Sequence, residues 1–272
     1  MIDIIITTNA SLISEKTLEQ LNDLNVKSLG IQVSLDSIEA EKHDQFRGFQ
    51  GAYQKAIQVL KLINHYDNIY SSIRMTISHD TLPELEKMIE NAIEIGVKRI
   101  GIGAVIPVGA GGNGSLTLNK EEKKFFLEKL AEMHEKYKEI IDITTEDPLK
   151  FNVSNSPWSF CEGINCHIDK SFFGGCTAGI TSFNVSADGS VTPCAVLPEN
   201  IINIHDYHNA KEMSEAYGNN EVIKKLLTRK YEGKCGTCSM NRVCGGCRAT
   251  AKGLTGNYMA SDPTCWRNEE KM

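Results

Sequence analysis

Apolar residues in the first half of the chain recur with two periods. Ile2–Thr7 is a continuous, largely β-branched run, the pattern of a strand buried on both faces. Leu29–Leu35, Ile73–Ile77 and Arg99–Val105 read as three more strands, and Ile140–Thr144 as a fifth. Between them the spacing turns helical: Leu18, Leu21 and Leu24; Tyr53, Ile57 and Leu60; Leu82, Leu85, Ile89 and Ile93, with Pro83 tolerated in a first turn; and Phe126, Leu130 and Met133 on a charged segment. This alternation predicts an α/β fold with parallel strands and helical crossovers, either a barrel or a doubly wound sheet. In both architectures the loops after the strands build the functional end. Here they carry Thr8-Asn9, Ser34–Asp36, Ser78-His79 and the glycine-rich Pro107–Gly114.

The alternation stops at Asp147. Residues 147–173 read as a connector between a first domain, 1–146, and a smaller one, 174–272. In the latter, Thr181–Ser186 and Ser190–Thr192 flank Ala187-Asp188-Gly189, and Asp-Gly between alternating segments signals a hairpin. Short helices are expected over Ala210–Ala216 and Glu221–Arg229, with cysteine-punctuated loops after them.

Composition narrows the function. With 29 Lys and Arg against 35 Asp and Glu, the net charge of -6 argues against nucleic-acid binding, which needs a concentrated basic surface. No apolar run approaches the roughly 20 residues that span a bilayer, and the first residues show no basic leader or cleavage site. A cytoplasmic protein without a membrane partner is expected. The nine cysteines all follow Asn155, and in a reducing compartment such clustering points to metal rather than disulfides.

Their spacing is Cys176-x17-Cys194, then Cys235-x2-Cys238-x5-Cys244-x2-Cys247, then Cys265. A zinc ribbon also uses two CxxC knuckles, but with roughly 15–20 residues between them, so zinc is the second choice. Seven thiolates fall one short of the about eight that two four-iron clusters take. Gly174, Gly175, Gly236, Gly245 and Gly246 suit close backbone approach around a bulky core.

The segments GCTAGITSFNVSADGSVTPC and CGTCSMNRVCGGCRATAKGLTGNYMASDPTCW resemble the SPASM domain of radical S-adenosylmethionine (SAM) enzymes. The resemblance implies two auxiliary iron–sulfur clusters, expected as four-iron, four-sulfur clusters. Cys235, Cys238, Cys244 and Cys265 would hold the outer one and Cys176, Cys194 and Cys247 the inner one. The inner cluster's fourth position is left to Cys161, Cys166 or a substrate.

With that domain in view, the first half is similar to the later part of a radical SAM barrel. IITTNA resembles the family's third strand, and QVSLDS followed by HDQFRG its fourth strand and the loop after it. By that match Ser34 and Arg47 contact SAM, a hydroxyl for its polar end and a guanidinium for its carboxylate. Without the resemblance they read as a strand-end serine and a surface arginine. Asn9 and Asp36 read as loop-shaping residues. GAGGNGS at Gly109–Ser115 lacks the GKS/T ending of a phosphate loop and reads as a mobile loop. His43, His134, His205 and His208 lack metal-pair spacing and read as structural or exposed.

The fold expected is therefore a partial (β/α) radical SAM barrel, its first two β–α units missing, followed by a small cysteine-rich SPASM domain. The family's CxxxCxxC loop does not occur in this sequence, which leaves enzymatic activity of the chain open. The expectation is a truncated gene product, or a barrel completed by another chain; in-frame DNA upstream of Met1 would test it. The resemblance implies an oxidoreductase acting on a peptide or small molecule, with an electron donor such as flavodoxin or ferredoxin. Peptide maturation by cross-linking, epimerisation or oxidation is the first expectation. Tetrapyrrole modification on the route to haem, a non-catalytic electron relay or peptide binder, and a zinc-stabilised module are the alternatives. Ala195 stands where sulfatase-maturing members carry an acidic residue, which argues against that substrate.

Overall fold

The computed structural model describes residues 3–24, 26–112, 114–154, 157–158 and 175–267. Cys161, Cys166, Gly174 and most of the expected connector lie outside them. The chain divides into two compact units, Met1–Ala104 with Glu128–Glu146, and Val105–Leu127 with Asp147–Met272.

In the first unit, β1 (Asp3–Thr8), β2 (Ser28–Ser34), β3 (Ile69–Ile77), β4 (Arg99–Ala104) and β5 (Asp142–Thr144) form one parallel sheet in that order. A doubly wound sheet reverses its strand order at a switch point. Uninterrupted sequential order, without such a reversal, fits the arc of a partial β/α barrel better than a doubly wound sheet.

The crossovers carry α1 (Glu15–Asn22), α2 (Ala40–Arg47) and α3 (Ala52–Ile63), α4 (Leu85–Ile95), and α5 (Lys120–Tyr137). Strand registers place Leu29, Ile31, Val33, Ile73, Met75, Ile100, Ile102 and Ile143 on one face, all buried. Helix α3 lies against β2 and β3 and buries Ala56, Val59, Leu60 and Ile63. Burial of Val59, Leu60 and Ile63 contributes about 1.5–3 kcal/mol each.

The other face is polar and carries Gln32, Arg74, Thr76 and Thr144. Arg74 extends across β4, where a Cβ on Gly103 would come 2.8 Å from its Nη2.

Three strand expectations change. β1 is not buried on both faces: it is an edge strand, and Ile5 is 51% exposed. β3 starts earlier than its apolar run, because Ser71 and Ser72 enter the sheet with their hydroxyls satisfied by Asn64 Oδ1 and Ile31 O. β5 is confined to Asp142–Thr144.

Helix α2 has no apolar stripe to reveal it. Asp44 within it accepts the Gly51 and Tyr53 amides at 2.6 and 2.8 Å, tying it to the start of α3.

In the second unit β6 (Asn184–Val185), β7 (Ser190–Thr192) and β8 (Ile202–Asn203) form an antiparallel sheet. The expected hairpin is present, and the third strand adds to it. Helices α6 (Ala210–Asn219) and α7 (Glu221–Thr228) fall where expected. The short α8 (Lys234–Thr237) and α9 (Arg248–Thr255) replace part of the expected loops. The glycine-rich segment belongs to this unit: its Gly109–Gly111 forms a 3-10 turn. A Cβ on Gly253 of α9 would lie 2.1 Å from Pro107 O, so only glycine permits that approach.

Candidate functional site

None of the seven cysteines in the described residues is bridged to another. Three are enclosed by their own turns. Met240 N–H donates to Cys238 Sγ at 3.4 Å and Gly246 N–H to Cys244 Sγ at 3.3 Å; the Arg267 amide does the same for Cys265. In each case the donor follows its acceptor by two positions. Cys235 Sγ accepts from Asp262 N–H at 3.4 Å, and Asn152 Nδ2 adds a second donor to Cys244 at 3.6 Å.

Donors aimed at sulfur favour thiolate over thiol. Glycine makes these turns possible: a Cβ on Gly236 would lie 2.0 Å from Tyr231 O, and Gly246 has φ +65 with Arg248 Nη2 and Asp262 Cβ each 2.7 Å from where a Cβ would sit.

The cysteines fall into neighbourhoods. Cys176, Cys194 and Cys247 pack against one apolar cluster of Ala178, Leu197, Leu226 and Ala249. Cys265 lies near enough to Cys244 and Cys235 for their charges to oppose one another. Burial pushes the Cys244 thiol well above its ordinary value and Cys265 upward, and burial with nearby Cys176 raises Cys247 to about 12. Burial thus favours the neutral thiol at these positions, a preference that a metal or other positive centre would offset.

Among the described residues no three His, Cys, Asp or Glu gather as ligands of a single ion. The candidate donors are all cysteine sulfurs, a set that suits zinc or an iron–sulfur centre.

Four buried residues that the sequence did not single out brace this region. Asp262, fully buried, accepts Cys247 N–H at 2.8 Å on Oδ2 and both Thr264 donors on Oδ1. Arg229, held at φ +50, donates to Asn241 O, Arg242 O and Cys176 O. Arg248 reaches Tyr258 O and Ala260 O. Lys123 Nζ pairs with Asp147 Oδ2 at 2.6 Å, both side chains nearly buried. The one sequence signal for this brace was the GGCRA and DPTC context around the cysteines.

In the first unit, Ser34 is buried at the C-terminal end of β2 and Arg47 closes α2 rather than lying in a loop. Asp36 joins them. It is 1% exposed, more than a loop-shaping residue: Oδ2 takes Arg47 Nε at 2.7 Å and Nη2 at 2.5 Å, and Oδ1 takes Thr76 N–H at 3.0 Å. Nearby, Glu84 accepts from Ser37 Oγ, Ile38 N–H and Lys42 Nζ. One carboxylate thus ties the middle of the strand-to-helix loop to the first turn of α2.

Buried His43 accepts Asp36 N–H on Nδ1 at 3.2 Å, so that nitrogen carries no proton and its 3.7 Å approach to Asp36 Oδ2 is not an ion pair. Burial outweighs the Asp36 attraction and lowers the His43 pKa. Below about pH 6.5 the unfolded chain then binds more protons than the folded one, and stability falls with acid. Urea unfolding between about pH 7.5 and 5.5 should show this loss, with a slope of at most about 1.4 kcal/mol per pH unit from one proton. His43→Gln should flatten it; an unchanged slope would assign it elsewhere.

No family model matches the chain. The AdoMet-dependent heme synthase of Methanosarcina barkeri (strain Fusaro) is 30% identical over 96% of this chain and 74% of its own length. The antilisterial bacteriocin subtilosin biosynthesis protein AlbA of Bacillus subtilis (strain 168) is 24% identical over 98% of this chain, which spans 55% of that protein. Among solved structures, native anSMEcpe with bound AdoMet and Cp18Cys peptide superposes with a TM-score of 0.67 at 19% identity, over 96% of this chain and 70% of that one. That likeness is one of fold.

Proposed function

The chain belongs to the radical SAM enzymes with a SPASM-type C-terminal domain, and from that premise we propose that its described cysteines hold two iron–sulfur centres serving oxidoreductase chemistry on a tetrapyrrole. Cys235, Cys238, Cys244 and Cys265 would ligate the outer centre. Cys176, Cys194 and Cys247 would ligate the inner one, its fourth position going to Cys161, Cys166 or substrate.

The observation that carries the metal reading is the amide donor supplied to Cys238, Cys244 and Cys265 from two positions on. Such turns stabilise sulfur as an anion, which neutral structural cysteines do not require. Bound clusters and SAM supply the one-electron chemistry; the chain's own residues bind and orient. Ser34 and Arg47 would receive the polar end of SAM. Asp36 holds the Nε and Nη2 edge of the Arg47 fork and leaves Nη1 for a carboxylate. The electron donor would be a flavodoxin or ferredoxin.

The heme synthase relative, at 30% identity against 24% for AlbA, supports a tetrapyrrole over the peptide that the family resemblance put first. Peptide maturation is the second reading, supported by AlbA and by the peptide bound in the anSMEcpe structure.

Two measurements test these readings. Anaerobically reconstituted protein should be brown, absorb broadly near roughly 400 nm and hold about eight irons per chain, the content of two four-iron clusters; a colourless zinc protein would defeat the metal reading. Titration with iron coproporphyrin III should give a saturable shift of the porphyrin absorption band. Saturable binding of a precursor peptide without that shift would move the assignment to peptides.

A further inference from the structure

Arg248 is a fully buried residue, 0% exposed, and heads the large side chains shut off from solvent among the described residues. Its guanidinium donates from Nη1 to Tyr258 O at 3.0 Å and Ala260 O at 2.6 Å, and from Nε to Gly246 O at 3.5 Å. Its plane lies over the Tyr231 ring, Cζ 4.0 Å from the centroid. Nη2 faces Cys235 Sγ at 3.9 Å. These contacts satisfy hydrogen bonds and supply no negative charge. The nearby carboxylate, Asp262, is turned to Cys247 N–H and Thr264.

An arginine stays protonated in proteins, and a buried charge without a counter-charge is strongly unfavourable. Among the described residues, with Asp262 nearby but bonded elsewhere, the contacts of Arg248 therefore lack a directly bonded anion. Cys235 can provide it: a sulfur bound to a metal centre is a thiolate, and a cluster with four of them carries net negative charge.

The backbone is arranged to bring the two together. Gly246 sits between them at φ +65, where a Cβ would come 2.7 Å from Arg248 Nη2 and 3.4 Å from Cys235 Sγ. Any side chain there would displace the guanidinium from the sulfur.

We infer that Arg248 is the internal counter-charge of the thiolate-bound centre at Cys235, a positioning residue that favours the centre's more negative, reduced state. The inference rests on the iron–sulfur reading above. Net charge and hydrogen bonds to sulfur are among the factors that set cluster potentials, so a fixed cation at this distance raises the potential of the centre beside it.

The test compares the full chain with Arg248→Gln and Arg248→Lys, each reconstituted with iron and sulfide. Wild-type protein that binds no iron defeats the iron–sulfur reading and is recognised before any variant is measured. In iron-loaded protein, a dithionite titration followed by electron paramagnetic resonance reads the ratio of reduced to oxidised centre. At a fixed potential, Arg248→Gln should lower that ratio about tenfold or more for one of the two centres, a shift of about 59 mV per decade for one electron. Arg248→Lys, which keeps the charge and loses the fork, should stay within about threefold of wild type. Full iron in Arg248→Gln with an unchanged ratio overturns the inference, since carbonyl contacts alone would then explain the residue. If Arg248→Gln loses one centre, Arg248→Lys decides. Retained iron at the wild-type potential supports a requirement for charge; loss in both variants makes the role one of hydrogen-bond geometry and overturns it.

Discussion

Cys244→Ser is expected to reduce bound iron from about eight to about four per chain, the content of one four-iron cluster. Cys244 is buried, and two donors, Gly246 N–H and Asn152 Nδ2, already point at its sulfur. A serine oxygen in the same turn would take those hydrogen bonds as a neutral hydroxyl and offer the metal a hard, protonated ligand in place of a soft thiolate. Cys265 lies close enough to perturb Cys244, and Cys235 close enough to perturb Cys265, so all three should fail together. Cys247→Ser should remove the other centre, because Cys247 shares its apolar cluster with Cys176 and Cys194. Iron and sulfide assays with the resonance spectrum of each variant separate the two outcomes. If Cys244→Ser and Cys247→Ser erase the same signal, the division into two centres is wrong; iron content untouched by either removes these cysteines from metal binding.

Asp36→Ala carries the second large expectation, a loss of about 3–5 kcal/mol, the usual cost of breaking a buried charge pair. The carboxylate is almost wholly buried and engages three donors from two elements: Arg47 Nε and Nη2 at the end of α2, and Thr76 N–H in β3. Alanine leaves the Thr76 amide without its acceptor and the Arg47 fork without its anion. Asp36→Asn keeps an oxygen for Thr76 but no charge for Arg47, and should fall between. Because Arg47 is partly exposed, its guanidinium can recover water, which puts the expected loss toward the lower end of the range. Urea unfolding with an unchanged denaturant slope is the measurement. A loss below about 1 kcal/mol would mean that the network is dispensable and that Arg47 is held by α2 alone. In a double-mutant cycle, Arg47→Met should cost little once Asp36 is gone.

The parallel strands were legible as short apolar, β-branched runs, the helices as stripes of period 3.6, and the hairpin as Asp188-Gly189 between alternating segments. The seven-cysteine spacing was legible because it is a pattern written directly along the last hundred residues. Elements without a period escaped. Helix α2 has no apolar stripe, β3 carries two serines near its start, and α9 presents small residues rather than a leucine stripe. The apolar run at the start implied two buried faces, yet Ile5 is exposed, because a strand's neighbours and not its composition decide what covers it.

By itself the sequence determined which side chains could carry metal chemistry and the alternation that makes an arc of parallel strands, since both are properties of residues close together in the chain. The tertiary structure decided what faces what: Asp36 against Arg47 and Thr76, Asp262 between Cys235 and Cys247, Arg248 against Cys235. Those contacts join positions separated along the chain. Their strength comes from burial, which weakens solvent screening and gives a single charge or amide its effect on a neighbouring sulfur or carboxylate.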